Sequence, residues 1–259
     1  MTGELTVHDA RITYRQPGRR VLTAVDGVSL NLKVGQVLGL VGESGCGKST
    51  LARAICGLEP LASGSIVFDG EPITPLGLRK RAKRQRRIQM VFQNPYASLN
   101  PRRRVGAQIQ DALAIAGPDG STVEQLLEDV GMEPTDARRY PHQFSGGQRQ
   151  RIAIARAIAA RPDVLIGDEP IASLDASLQA KVARLMRDVA LKNGASLLFI
   201  SHDLSVVRVV ADQVAVMHAG RIVEEGPVDK VWANPQDDYT KRLLAAIPIP
   251  DGLGHLPVG

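Results

Sequence analysis

Two cysteines among 259 residues, Cys46 and Cys56, are too few for a disulfide framework. Both sit in or just after one glycine-rich stretch, so a reduced, cytosolic setting is expected. No uninterrupted apolar run approaches the roughly 18 residues that a membrane-spanning helix needs. The opening MTGELTVHDARITYR has no basic start followed by an apolar core, and it does not read as a secretory leader. Aromatic residues are scarce, with four Phe, four Tyr and one Trp, so no stacking platform for single-stranded nucleic acid is evident. His8, His142, His218 and His255 show no metal-ligand spacing. The net charge of +5 suits an anionic ligand or a membrane surface but specifies neither. The run RKRAKRQRR, residues 79 to 87, holds seven basic residues in nine and reads best as a solvated segment before the next strand.

What is present is an alternation of strands and helices. ELTVHDARITYR, TAVDGVSLNLKVG and GSIVFDG alternate or are bounded as early strands. QVLGLVG, IQMVFQ, DVLIGDEP and SLLFISHDL are continuous apolar runs, the pattern of buried parallel strands. KSTLARAICGL, VGAQIQDALAIAG, STVEQLLEDVGM and GGQRQRIAIARAIAARP read as helices, with Ser121 and Glu124 placed as a capping box in the third. QVAVMHAGRIVEEG reads as a hairpin turning at Ala219 and Gly220, and the Pro/Gly-rich end from Pro248 as an extended or disordered tail. The class is α/β with a mostly parallel sheet, whose ligands belong at the strands' carboxyl ends. Lys48, Gln93, Asp168, Glu169 and His202 all fall at those ends.

Residues 42 to 49, GESGCGKS, fit G-x-x-x-x-G-K-[ST] between a strand and a helix. Backbone N–H groups close around phosphate oxygens only where side chains are absent, and Gly42, Gly45 and Gly47 allow that approach. Lys48 can reach terminal phosphates, Ser49 can ligate Mg²⁺ and Thr50 can bond a phosphate oxygen. VLIGDEP sets Asp168 and Glu169 side by side after an apolar strand. Asp168 suits Mg²⁺, leaving Glu169 to polarise an attacking water. The bland reading of such acids is a cap for the next helix. FSGGQRQR, 144 to 151, opens a further helix on a second glycine pair, with Ser145 as its cap.

Taken in order, these motifs resemble the ATP-binding subunit of an ABC transporter over nearly all of residues 5 to 247. GESGCGKST resembles the Walker A loop, Gln93 the Q-loop, FSGGQ the signature, VLIGDEP Walker B, SLD the D-loop with Asp175, and His202 the switch histidine. Tyr14 lies where the family places an aromatic that stacks on adenine. The resemblance implies a P-loop NTPase fold of ABC type: a mostly parallel core sheet, an antiparallel β subdomain and an inserted α-helical subdomain at about 95–158. It implies one ABC ATPase domain over 1–247 and a separate tail over 248–259. It implies ATP and Mg²⁺, with ATP on Tyr14 and on Gly42, Glu43, Ser44, Gly45, Cys46, Gly47, Lys48, Ser49 and Thr50, and Mg²⁺ on Ser49, Gln93 and Asp168. Glu169, His202, Lys48 and Gln93 would be catalytic. In this family two ATPases meet head to tail, so Ser145, Gly146, Gly147 and Gln148 would meet the partner's nucleotide.

QNPYASLNPRRRVG, RYPHQFSGGQRQRIAIARA and GRIVEEGPVDKVWANPQDDYTKRLLAAIP are similar to the oligopeptide, dipeptide and nickel importer branch. With no cysteine after Cys56, the chain resembles members that lack the C-terminal iron–sulfur region. IASLD departs from the branch's usual TSALD. The branch implies a second ATPase subunit as a heterodimer, two transmembrane permeases, an extracytoplasmic substrate-binding protein acting indirectly, no nucleic acid, and a place on the cytoplasmic face of the membrane. A non-transport ABC ATPase, such as an accessory protein of phosphonate breakdown, is the alternative.

Overall fold

The computed structural model describes residues 3–15, 21–77, 82–94, 98–118, 120–172 and 174–246. The tail from Pro248, Ser173 of the D-loop motif and residues 79–81 of the basic run lie outside them.

Two sheets form the frame. Strands β1 (Leu5–Arg15), β2 (Val21–Leu32), β4 (Ser63–Phe68) and β5 (Glu71–Pro72) make an antiparallel sheet in the order β2-β1-β4-β5. The larger sheet runs β10-β9-β3-β8-β7-β6, from β3 (Val37–Val41), β6 (Ile88–Val91), β7 (Val164–Asp168), β8 (Ser196–Ser201), β9 (Gln213–His218) and β10 (Arg221–Pro227). All its pairings are parallel except that of β9 with β10. β3, β7 and β8 are buried along their whole length, which is why they read as unbroken apolar runs.

The period of two along these strands divides the core. Val37, Val41, Leu165, Leu197, Phe199, Val214 and Val216 join one hydrophobic cluster. Leu38, Leu40, Val164, Ile166, Leu198, Ile200, Ala215 and Met217 join the other. Neighbouring side chains point to opposite faces of a strand, so the sheet is a partition between two cores. The second core is shared with the antiparallel sheet and with α1 (Lys48–Ile55). The first is covered by α2 (Val105–Ala116), α3 (Val123–Asp129), α4 (Gly146–Ala159), α5 (Ala176–Lys192) and α6 (Leu204–Val210). Two short helices, α7 (Val228–Ala233) and α8 (Asp238–Ala245), close the described chain.

Asp26 joins the two sheets. Its carboxylate meets Arg11 of β1 at 2.8 Å and Arg221 of β10 at 2.6 Å, and its N–H donates to Gly220 O at 2.8 Å. The Arg221 hydrogen bond holds this carboxyl below the usual aspartate range against the opposing effect of burial, with the charges of Arg11 and Arg221 adding to the lowering.

One sequence expectation is corrected. The capping box of α3 is Thr122 with Gln125, one residue beyond Ser121 and Glu124. Both pairs satisfy the same spacing. Thr122 is extended, at φ −114° and ψ 161°, as a β-branched residue prefers, so the helix starts at Val123. The hairpin turn falls where expected, with Ala219 and Gly220 both at positive φ.

Candidate functional site

The strand ends bring the predicted residues together. The loop after β3 wraps back on β9 and on β2. A Cβ on Gly42 would stand 2.1 Å from Met217 O, and one on Gly47 2.2 Å from Ala24 O. Gly47 also has φ +110°, so both packing and backbone geometry demand glycine there. Gly220 N–H donates to Cys46 O at 3.1 Å, fixing the loop to the hairpin turn. α1 therefore begins on Gly47 with no side-chain cap, and its first amides are not committed to any side chain. Such a helix start is an anion receptor.

Lys48 is 3% exposed, and its ammonium folds back over the loop. It donates to Gly42 O at 2.7 Å and Glu43 O at 2.8 Å, and faces Cys46 Sγ at 3.7 Å. Cys46 is itself buried. Beside the loop lies an open groove of about 410 Å³ lined by Tyr14, Ser44, Gly45, Lys48, Thr50 and Glu169, among others. Tyr14 is half-buried, packed against the inter-sheet core, and lines the same groove.

Ser49 Oγ donates to Asp168 Oδ1 at 2.6 Å. Burial pushes the Asp168 carboxyl up, while the Ser49 hydroxyl, Arg53 and Lys48 pull it down and Glu169 adds to the rise. A buried carboxylate held above its ordinary range beside a hydroxyl is a hard-oxygen pair suited to a small divalent cation.

Glu169 sits at φ +46°, a region that a glutamate enters at a cost of about 1–3 kcal/mol. Its N–H donates to Ile200 O at 3.0 Å, which ties the strained residue to β8. That turn aims the carboxylate at two partners. His202 Nδ1 is 3.3 Å from Glu169 Oε2, and Gln93 Nε2 stands at 3.5 Å, the limit of hydrogen-bond reach. The bland alternative for this acid, a helix cap, fails: Asp175 caps α5, accepting from Leu178 N at 3.0 Å.

The structure leaves the second glycine pair apart from this group. Ser145, Gly146, Gly147 and Gln148 do not line the groove, nor does Asp175. Ser145 and Gln148 form a reciprocal capping box at the start of α4, and a Cβ on Gly147 would meet Leu178 Cδ2 of α5 at 2.5 Å. One neighbour of the loop carries no signal in the sequence. Tyr239 of α8 accepts a hydrogen bond from Glu43 N at 3.0 Å, and its ring stacks on His218, with centroids 3.9 Å apart. No spacing rule links positions 43 and 239, so the sequence does not point to Tyr239.

A phosphate-receptive loop, a cation-suited pair and a strained glutamate at the ends of parallel strands define a nucleotide-hydrolysing cassette. The chain matches the ABC transporter family over residues 25–172 and belongs to it. It is an ATP-binding, ATP-hydrolysing member of that family. It is 47% identical over 240 residues to the oligopeptide transport ATP-binding protein OppF of Bacillus subtilis, covering 90% of this chain and 79% of that one. It is 48% identical over 236 residues to the di/tripeptide transport ATP-binding protein DppF of Pseudomonas aeruginosa, covering 89% and 73%. Among solved structures, it superposes on the dimeric, post-hydrolysis ATP-binding cassette MJ0796 bound to ADP and Pi with a TM-score of 0.75 at 25% identity, covering 86% of this chain and 98% of that one. It likewise resembles cbiO1 of Clostridium perfringens, part of the transporter complex cbiONQ, with a TM-score of 0.77 at 28% identity, covering 90% and 92%. Among the described residues no helix is long and apolar enough to cross a membrane.

Proposed function

We propose that this chain is the ATP-hydrolysing subunit of an ABC importer, acting on the cytoplasmic face of a membrane through permeases supplied by other chains. The observation that carries the reading is Glu169, held at positive φ so that its carboxylate meets Gln93 and His202 beside the phosphate loop. A water between Glu169 and the γ-phosphate attacks phosphorus. As the new P–O bond forms, the bond to the β–γ bridging oxygen breaks, ADP leaves, and the water's proton passes toward Glu169. Lys48 and His202 hold the γ-phosphate, and Gln93 reports its presence. Ser49, Asp168 and Gln93 would hold Mg²⁺, which supplies charge neutralisation at the phosphates. Tyr14 stacks on adenine, with Gly42 to Thr50 around the phosphates.

Two such chains close head to tail, Ser145 to Gln148 of one meeting the nucleotide of the other, with Asp175 at the seam. We place the catalytic domain at 1–247, with its helical part at about 95–158 carrying the signature. The peptide-transport relatives favour peptides over nickel as cargo. The partner ATPase is a related but different subunit, and two permeases and an extracytoplasmic binding protein complete the system. Affinity purification from detergent-solubilised membranes tests this. Two homologous permeases and a second ATPase are expected. Recovery with soluble enzymes alone would overturn transport, and recovery of two identical ATPases would overturn only the heterodimer.

A further inference from the structure

The peptide unit between Gly42 and Glu43 is engaged on both sides. Its C=O accepts from Lys48 Nζ at 2.7 Å, and its N–H donates to the Tyr239 hydroxyl at 3.0 Å. The N–H and C=O of a trans peptide point in opposite directions, so an acceptor fixed on one side sets the carbonyl's aim on the other. Tyr239 is fixed. It is 5% exposed, its ring is stacked on His218, and burial pushes its hydroxyl above the usual phenol range, keeping it neutral. The start of its helix is anchored twice over. Asp237 Oδ1 accepts from Tyr239 N at 2.8 Å, and Glu224 accepts from Gln236 N and Asp237 N at 2.8 and 3.1 Å. β9 closes the arrangement, since Met217 O lies against Gly42 and the next residue is the stacking His218.

An ammonium has three N–H donors. In Lys48 two are held by the carbonyls of Gly42 and Glu43, and the nearest remaining contact is the weak acceptor Cys46 Sγ at 3.7 Å. Two fixed donors leave the third to be aimed, and a phosphate oxygen is a far better acceptor than a thiol. We propose that Tyr239 is a positioning residue for nucleotide binding: it orients the Gly42–Glu43 peptide so that Lys48 presents its remaining donor to the phosphates. Helix α8 is thereby part of the phosphate site without touching the nucleotide.

The inference rests on Lys48 meeting the phosphates, and one experiment separates the two claims. A fluorescent ATP analogue is titrated into the full chain and into Tyr239→Phe, Lys48→Ala and the double variant. Phe keeps the ring and the stack and removes only the acceptor. Losing one such hydrogen bond predicts roughly three- to tenfold weaker binding in Tyr239→Phe. Because Tyr239 acts through Lys48, adding Tyr239→Phe to Lys48→Ala should weaken binding by less than about twofold further. Exchange of the Glu43 amide with deuterium should quicken in Tyr239→Phe. Unchanged binding by Lys48→Ala overturns the Lys48 reading. Weaker binding by Lys48→Ala with unchanged binding by Tyr239→Phe overturns the positioning claim. So does a Tyr239→Phe effect that persists in full without Lys48, or a lowered melting midpoint with unchanged affinity.

Discussion

The chain begins two helices on paired or clustered glycines, and they are built oppositely. α1 starts on Gly47, a left-handed residue with no capping side chain, and the adjoining Lys48 is buried. α4 starts on Ser145 with a complete capping box, on an exposed turn. The first leaves amides for a ligand and brings a cation to it. The second satisfies its amide at Gln148 from within, and the cation of its first turn, Arg149, is turned to the carbonyls of Pro141 and His142. Glycine at a helix start is therefore not by itself a phosphate signal. What separates the two is whether side chains of the same chain have already taken the amides. The second start does not line the groove beside the first.

The sharpest way to break this contrast is at Glu169, which lines the groove beside the first helix start, a groove that the second start does not line. Glu169→Gln should keep nucleotide binding and lose turnover by roughly 10²–10⁴-fold, the range of general-base assistance. Single-turnover hydrolysis in the assembled complex checks it, and near-normal rates would remove Glu169 from catalysis. Next in size is Lys48→Ala. Loss of a charge-assisted contact should weaken ATP binding by about 10–100-fold, measured by titration. In contrast Ser145→Arg should leave binding to the chain's own loop intact while preventing closure, seen as lost ATP-dependent dimerisation.

Asp168 sharpens the comparison through pH. Its folded pKa is raised, so the fold favours the protonated form. That contribution is present below the unfolded aspartate value and is lost as pH rises through the folded one. Ionised Asp168 is thus a burden on the ligand-free chain at neutral pH. Asp168→Asn should raise the melting midpoint by about 1–3 °C at pH 7, with little gain near pH 4, while removing the extra stabilisation conferred by Mg²⁺-nucleotide. Smallest is Ser145→Ala, which should cost about 1 kcal/mol in denaturant unfolding and leave nucleotide affinity unchanged in the single chain.

Much of this was legible beforehand, for a physical reason. Buried parallel strands must be apolar throughout, so β3, β7 and β8 announce themselves, and polar residues at their ends are conspicuous. Lys48, Asp168, Glu169 and His202 were found that way. Helices α5 to α8 carry weaker patterns, although the aspartate caps of α5, α6 and α8 leave a readable trace. The α3 cap was off by one because two hydroxyl–acid/amide pairs overlap. Tyr239 was not legible at all, because its contact with Glu43 joins positions that only the folded sheet brings near.

The knot at Asp26 has a consequence for the groove. Tyr14 belongs to the antiparallel sheet and Lys48 to the helix that grows from the parallel one. Asp26 clamps Arg11, on Tyr14's own strand, to Arg221 and Gly220 of the hairpin that also holds Cys46 O of the phosphate loop. One carboxylate thus ties together the two sheets whose residues, Tyr14 from one and Lys48 from the helix after the other, line the same groove.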